Sequence, residues 1–134
     1  MHRQRNIEIA RTLLAGIAQG RDPEEIAAPF AEDLVFEVQG DADAMPWIGR
    51  QTGRQALIDF LRNLRALTEP VSFDVDDILA SEYRAAIVGA LQTRIRATGK
   101  VMASQFAIVL TITDGIVTRF QMIEDSFALS RATR

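Results

Sequence analysis

The 134-residue sequence contains no cysteine and a single histidine, His2. The lack of cysteine excludes disulfides, thiolate metal sites and cysteine nucleophiles. Because His2 lies near the N-terminus, where chains often fray, we expect no histidine-based triad and no metal site. The net charge of −3 provides no basic surface for a phosphate backbone, so nucleic acid is not an expected partner.

Long apolar runs are also missing. No stretch approaches the length of a membrane-spanning helix, and Glu8 and Arg11 interrupt the apolar core that a signal peptide would need. We therefore expect a cytoplasmic protein that does not bind membranes. The length and the 48% hydrophobic content predict a single domain over residues 1–134 with its own core.

The clearest pattern that is present covers residues 105–125. Two runs rich in Ile, Val, Phe and Thr flank Asp114-Gly115, which is a strong signal for a β-hairpin with a tight turn. Alternation predicts one inward face, made of Phe106, Ile108, Leu110 and Ile112 in the first strand and of Ile116, Thr118, Phe120, Met122 and Glu124 in the second. Glu124 and Asp125 make the exit of the second strand acidic. The hairpin thus predicts an apolar pocket wall with polar groups at one end.

The rest of the chain predicts three helices and three further strands. Helices are expected over residues 6–19, after Asp22 and, with a capping box that starts at Thr52, after Gly53. Strands are expected over residues 34–39, 71–80 and 84–98, an irregular loop over 40–53, and a frayed tail over 126–134. This order indicates an α+β fold in which a curved antiparallel sheet wraps around the helices as a cone.

Four segments carry a family resemblance: FAEDLVFEV, MPWIGRQTGRQALIDFL, DGIVTRF and IEDS. With them the chain resembles the SnoaL-like and ketosteroid-isomerase-like proteins of the nuclear-transport-factor-two-like superfamily. The resemblance implies a cone-shaped α+β fold with a central apolar pocket, and homodimers through the outer face of the sheet. Members of this superfamily isomerise steroids, cyclise polyketides, open epoxides or only bind a ligand, so the resemblance implies one of these functions.

Only some of the family's catalytic residues have counterparts in this chain. Where ketosteroid isomerases carry a general base and two oxyanion donors, this sequence has Val38, Leu13 and Ile108, so that isomerase chemistry is not expected. The SnoaL-type cyclases resemble this chain more closely, because their acid/base aspartate at the end of the last strand matches Asp125.

Asp125 is therefore the predicted catalytic residue, and its alternative role is that of a strand-end residue that caps the backbone of Ser126 or Phe127, or of a surface charge. Glu124 faces the pocket by strict alternation, but we expect it to be solvated because strand ends often bulge. The predicted substrate-binding residues are Trp47, Phe36, Phe60, Phe106, Phe120 and Met122. Side chains of this kind also form cores, so a purely structural role is the alternative for each of them.

The sequence thus predicts a homodimeric protein that binds a small hydrophobic ligand and needs no metal or organic cofactor. As an enzyme it would transfer protons on a polyketide-, steroid- or terpene-like substrate, in an isomerisation, a cyclisation or an epoxide opening with Asp125 as the general acid or base. The alternative is a non-catalytic ligand-binding or protein-interaction domain of the same fold. A buried Asp125 is expected of the enzyme, and an Asp125 turned to solvent is expected of the binding domain.

Overall fold

Six strands form one curved, open sheet, which four helices accompany in the computed structural model of residues 2–134. The elements in chain order are α1 (His2–Ala18), α2 (Pro23–Ala27), β1 (Phe30–Val38), β2 (Gly49–Thr52), α3 (Arg54–Leu67), β3 (Thr68–Ala80), β4 (Arg84–Ile95), β5 (Val101–Thr113), β6 (Ile116–Glu124) and α4 (Ser126–Ala132). The strand order is β2-β1-β6-β5-β4-β3. The predicted α+β fold is confirmed. No helix within residues 2–134 is long and apolar enough to cross a membrane.

One strand pair departs from the predicted antiparallel sheet. β1 runs parallel to β6, whereas the other neighbouring strands are antiparallel. A parallel pair needs a long crossover between its strands, and here the connection from β1 to β6 contains β2, α3, β3, β4 and β5. The sheet therefore brings the first and last long strands of the chain side by side.

The β5–β6 hairpin forms as predicted. Asp114 and Gly115 both have positive φ, at 51° and 78°, which the tight turn requires. The predicted inward residues of β5 are all buried. In β6 the register shifts at a bulge opposite Thr111 and Ile112, so Val117 is buried and Ile116 is 47% exposed. The predicted inward position of Ile116 is wrong, because a bulge changes which side chains face the core.

The buried face of α1 differs from the apolar stripe that helical spacing predicts, which consists of Ile7, Ala10, Leu14, Ile17 and Ala18. Its fully buried positions are Asn6, Ala10, Leu13 and Gly16, whereas Ala18 is exposed. Asn6 is buried because its side-chain amide donates to the backbone oxygens of the turn before β4, over 3.0 Å in each case. Gly16 is buried because α2 packs closely against it. A polar and a very small residue thus line the buried face, and hydrophobicity alone does not reveal it.

Two predicted boundaries are corrected where the chain enters and leaves α3. Part of the loop predicted over residues 40–53 is the strand β2, which pairs with β1. The capping box predicted from Thr52 does not form, since Gly53 is the N-cap and no side chain caps the helix. α3 ends at Leu67 and β3 begins directly at Thr68, which is before Pro70 and before the strand start predicted at residue 71.

The tail that was expected to fray forms the helix α4. Leu129 and Ala132 of this helix are buried. Ser130 donates to Asp41 over 2.8 Å, and Thr98 donates to the Ala132 backbone oxygen over 2.6 Å. These contacts hold α4 against the loop after β1 and against the β4–β5 turn. The segment that follows β6 is therefore an ordered part of the domain.

Candidate functional site

Four of the predicted ligand-binding side chains pack against one another in the interior. The ring of Phe36 stacks on Phe120 at 5.2 Å between centroids and lies 5.3 Å from Phe60, and Trp47 meets Phe60 edge-on at 5.3 Å. None of the four residues is more than 5% exposed. The structure therefore makes these rings part of the hydrophobic core, which was the alternative role considered for them.

The other two predicted ligand-binding residues lie towards the acidic end of the hairpin. Met122 is half-buried and pairs across the strands with Val38 and Ile108. Phe106 is buried, and its ring stacks on Phe73 at 4.8 Å between centroids. Phe73 is itself 46% exposed. Phe106 thus belongs to a part of the sheet that opens to solvent.

We use the term open row for Val75, Gly89, Phe106 and Glu124. Each member is the direct cross-strand partner of the next, through β3, β4, β5 and β6, so their side chains share one face of the sheet. Val75 is 40% exposed at the β3 end of this row. The open row is therefore an apolar strip that begins at the surface and ends at a carboxylate.

Gly89 is necessary for the shape of the open row. A Cβ atom at this position would overlap the backbone oxygen of Asp74 and would lie 3.1 Å from the ring of Phe106. The Asp74 carbonyl comes this close beside a bulge in β3 between Val75 and Asp77. A glycine inside a strand commonly marks such a close approach. Here it leaves room for the Phe106 ring to lie across β4 towards Phe73.

Glu124 is the unusual residue of the site. Burial, together with the smaller effect of the negative charge of Asp125, raises the pKa of its carboxyl group to about 7. Within residues 2–134 no hydrogen bond stabilises the charged form of this carboxylate. A carboxyl group with a pKa close to neutrality can both accept and return a proton at physiological pH.

The expectation that Glu124 is solvated is wrong. The strand remains regular where β6 ends, since Glu124 still pairs with Phe106. The sequence signal that could have found this residue was present: strict alternation placed Glu124 on the inward face. The anticipated bulge occurs instead near the β5–β6 turn, opposite Thr111 and Ile112.

The structure places Asp125, the predicted acid/base, at the surface. Its carboxylate accepts a hydrogen bond from the Ala128 amide over 2.9 Å and caps the N-terminus of α4. Its own amide donates to the Ser104 hydroxyl over 2.8 Å. A backbone cap was the alternative role considered for Asp125, although the capped amide is that of Ala128 and not that of Ser126 or Phe127. The side chain is exposed to solvent. Within residues 2–134, no group of three or more potential ligands could hold a metal ion.

The sequence was compared with profiles of known protein families. A profile of the SnoaL-like domain matches residues 10–120, which is most of the chain. The chain belongs to the SnoaL-like family. The resemblance noted in the sequence is therefore confirmed for the family. No match was found among curated proteins.

Several solved structures share the fold of this chain. A nuclear-transport-factor-two-like protein from Burkholderia xenovorans LB400 is 25% identical, with a TM-score of 0.87 over 98% of both chains. A proposed polyketide cyclase from Xanthomonas campestris pv. campestris is 18% identical, with a TM-score of 0.78 over 100% of both chains. TerC, co-crystallised with polyporic acid, is 19% identical, with a TM-score of 0.78 over 96% of this chain and 98% of its own. The two more distant similarities concern the fold alone.

Proposed function

We propose that this SnoaL-like domain binds a small hydrophobic molecule along the open row and transfers a proton with Glu124. The observation that carries the proposal is the position of Glu124, a half-buried carboxylate without a hydrogen-bond partner in residues 2–134, next to Phe106. Removing a carboxylate from water raises its basicity, and a nearby apolar surface provides a place for an organic substrate.

The proposed chemistry is general acid–base catalysis. In its charged form Glu124 removes a proton from a carbon or oxygen atom of the bound molecule, and in its neutral form it returns the proton elsewhere on that molecule. Phe73 stacks on the buried Phe106, and its exposed ring provides an aromatic surface on which a flat ligand can stack. The proposal needs no metal or organic cofactor.

The relatives support the choice of ligand class. One structural neighbour was co-crystallised with polyporic acid, and another is a proposed polyketide cyclase. Together with the aromatic surface of the open row, they favour a polyketide-like substrate for this domain, with isomerisation or cyclisation as the reaction. Asp125 then contributes its charge to the Glu124 environment and its side chain to the α4 cap.

A non-catalytic ligand-binding domain is the second candidate function. It is favoured by the same isolation of Glu124, because no hydrogen-bonded acid/base partner accompanies the carboxylate within residues 2–134. The exposed Asp125 also matches the expectation for a binding domain. The two functions differ in whether a proton leaves the ligand.

A ring-opening reaction tests the proposal without knowledge of the natural substrate. In 5-nitrobenzisoxazole, a base removes the C–H proton while the ring N–O bond breaks, giving a coloured cyanophenolate. We expect the wild-type protein to accelerate this reaction with a pH midpoint of about 7, because Glu124 must be charged to act as the base. Glu124→Gln should reduce the rate to that of buffer.

The matched control is Asp125→Asn, which preserves the helix cap because asparagine is also a good N-cap residue. It should retain the activity and move the pH midpoint downward, since the neighbouring negative charge is removed. Equal rates for wild type and Glu124→Gln would contradict the catalytic proposal. Loss of activity in Asp125→Asn alone would instead assign the reaction to Asp125.

We also propose that the outer face of the sheet forms a homodimer. Val88, Ala107 and Ile123 are successive cross-strand partners on the face opposite Glu124, and Ile123 is 50% exposed. Ala107→Lys places a charge in the middle of this apolar row, and we expect it to convert a dimer into a monomer in size-exclusion chromatography with light scattering. Gln19→Lys, at an exposed position directly after α1, should leave the dimer unchanged. A monomeric wild type would contradict the proposal.

A further inference from the structure

The first part of β5 has a free edge. β6 ends at Glu124, which pairs with Phe106, so residues 101–105 of β5 have no strand neighbour on that side. The Ile95 amide donates to the Lys100 carbonyl over 2.8 Å, so the Lys100 backbone faces β4. Because backbone groups of an antiparallel strand alternate between its two edges, those of Val101 and Ala103 face away from β4.

The helix α4 lies beside this free edge without closing it. Within residues 2–134 no backbone hydrogen bond joins α4 to Val101 or Ala103. A shallow cavity of about 520 Å³, widely open to solvent, remains between the two elements. Its walls are the apolar side chains of Val101, Met102, Ala103, Ala128 and Ala132, with the two cations Lys100 and Arg131. The cavity therefore combines apolar walls, free backbone amides and positive charge, and no acidic residue lines it.

The positive charge at the cavity is available to a ligand. The Arg131 guanidinium lies over the ring of Phe127, 5.7 Å from its centroid, and makes no ion pair within residues 2–134. Lys100 donates one hydrogen bond to the Arg134 backbone oxygen over 2.6 Å, and an ammonium group has three donors. Stacking on Phe127 orients Arg131 and leaves its N–H groups free.

We propose that this cavity is a second binding site, which accepts a small carboxylate with an apolar body. Arg131 matches a carboxylate with two parallel hydrogen bonds, and the amides of Val101 and Ala103 provide further donors. The apolar walls suit an aryl or short alkyl group. The site faces α4 and does not depend on the function proposed for Glu124.

The test is an NMR titration of the full chain with benzoate, with uncharged benzamide as the matched ligand. We expect benzoate to shift the amide signals of Val101 and Ala103 and the side-chain signal of Arg131. Benzamide should bind at least about tenfold more weakly, because it lacks the charge that pairs with Arg131. Inorganic phosphate should compete poorly, since it makes no use of the apolar walls.

Substitutions separate this site from a general charge effect. Arg131→Met removes the charge and keeps an apolar stem, and we expect it to weaken benzoate binding about tenfold or more. Arg62→Met makes the same change in net charge at an exposed pair with Glu24 and should not alter binding. Lys100→Met, which should cause a smaller loss, serves as a second variant if Arg131→Met does not fold.

Three results would overturn the proposal. The first is equal binding of benzoate and benzamide. The second is an Arg131→Met variant that binds benzoate as the Arg62→Met control does. The third is a set of shifts centred on Phe73 and Phe106, which would place the ligand at the open row.

Discussion

Replacing Glu124 with glutamine is expected to raise the free energy of unfolding by about 2–3 kcal/mol at pH 8 and to change it little at pH 4. The pKa of this carboxyl group is about 7 in the folded protein, against an ordinary value of 4.5. Between these two values the folded state holds the proton more tightly than the unfolded state does. Stability therefore falls as the pH rises from 4.5 to about 7, and glutamine, which stays neutral, avoids this loss.

Urea denaturation of wild type and variant at both pH values measures the effect. Glu82→Gln is the control, because Glu82 has an exposed side chain and such changes usually alter stability by less than about 0.5 kcal/mol. A gain of the same size at both pH values would show that glutamine packs better for reasons unrelated to charge. A direct carboxyl titration by NMR with a midpoint near the ordinary value of 4.5 would contradict the prediction itself.

This stability effect also bears on the proposed function. A carboxylate that destabilises the folded protein at neutral pH is typical of functional sites, where perturbed pKa values cluster. Replacing such a carboxylate with a neutral residue can therefore stabilise a protein and remove its activity at the same time. We therefore expect Glu124→Gln to be more stable than wild type at pH 8 and inactive in the ring-opening reaction.

Replacing Gly89 with alanine is expected to lower the free energy of unfolding by about 3 kcal/mol or more. The new Cβ atom would overlap the Asp74 backbone oxygen, which belongs to the neighbouring strand and cannot move like the end of a flexible side chain. β3 must therefore separate from β4 at this point, and Phe106 must move away from its position across β4. Chemical denaturation measures the loss, and near-ultraviolet circular dichroism should report the changed packing of Phe106 and Phe73.

Gly99→Ala is the informative control for this variant. Gly99 has a φ of 75° and open space around its Cβ position, so alanine there should cost about 1–2 kcal/mol through backbone strain alone. Gly89 lies within β4 and carries no such positive φ, so its cost comes from contact. A Gly89→Ala variant that loses no more stability than Gly99→Ala would show that β3 adapts easily at its bulge.

Features that depend on neighbours in the sequence could be predicted well. The Asp114-Gly115 turn and the buried alternation of β5 follow from backbone geometry and side-chain spacing within one hairpin. β2 was missed because its four residues are mostly exposed and show no apolar alternation. It forms because it can pair with the edge of β1, and this edge is not part of the short stretch of sequence from which a strand is predicted.

The candidate site shows the same division at the level of single residues. Glu124 and Asp125 are adjacent acids, and no local rule decides which of them faces the interior if the strand end is allowed to bulge. The choice depends on the Glu124–Phe106 pairing and on α4, whose N-terminus Asp125 caps. An aspartate before an alanine- and leucine-containing segment was a cap signal, but it was overlooked because the segment was expected to fray.

By itself, the sequence determined the hairpin, the inward face of β5 and the family, because these depend on local spacing and on motifs along one chain. Only the tertiary structure decided that four aromatic rings fill the core, that Glu124 lies on the protected side of the last strand, and that the edge of β5 remains open beside α4. The physical reason is that desolvation and unpaired strand edges depend on which distant segments cover a residue, and coverage is a property of the whole fold.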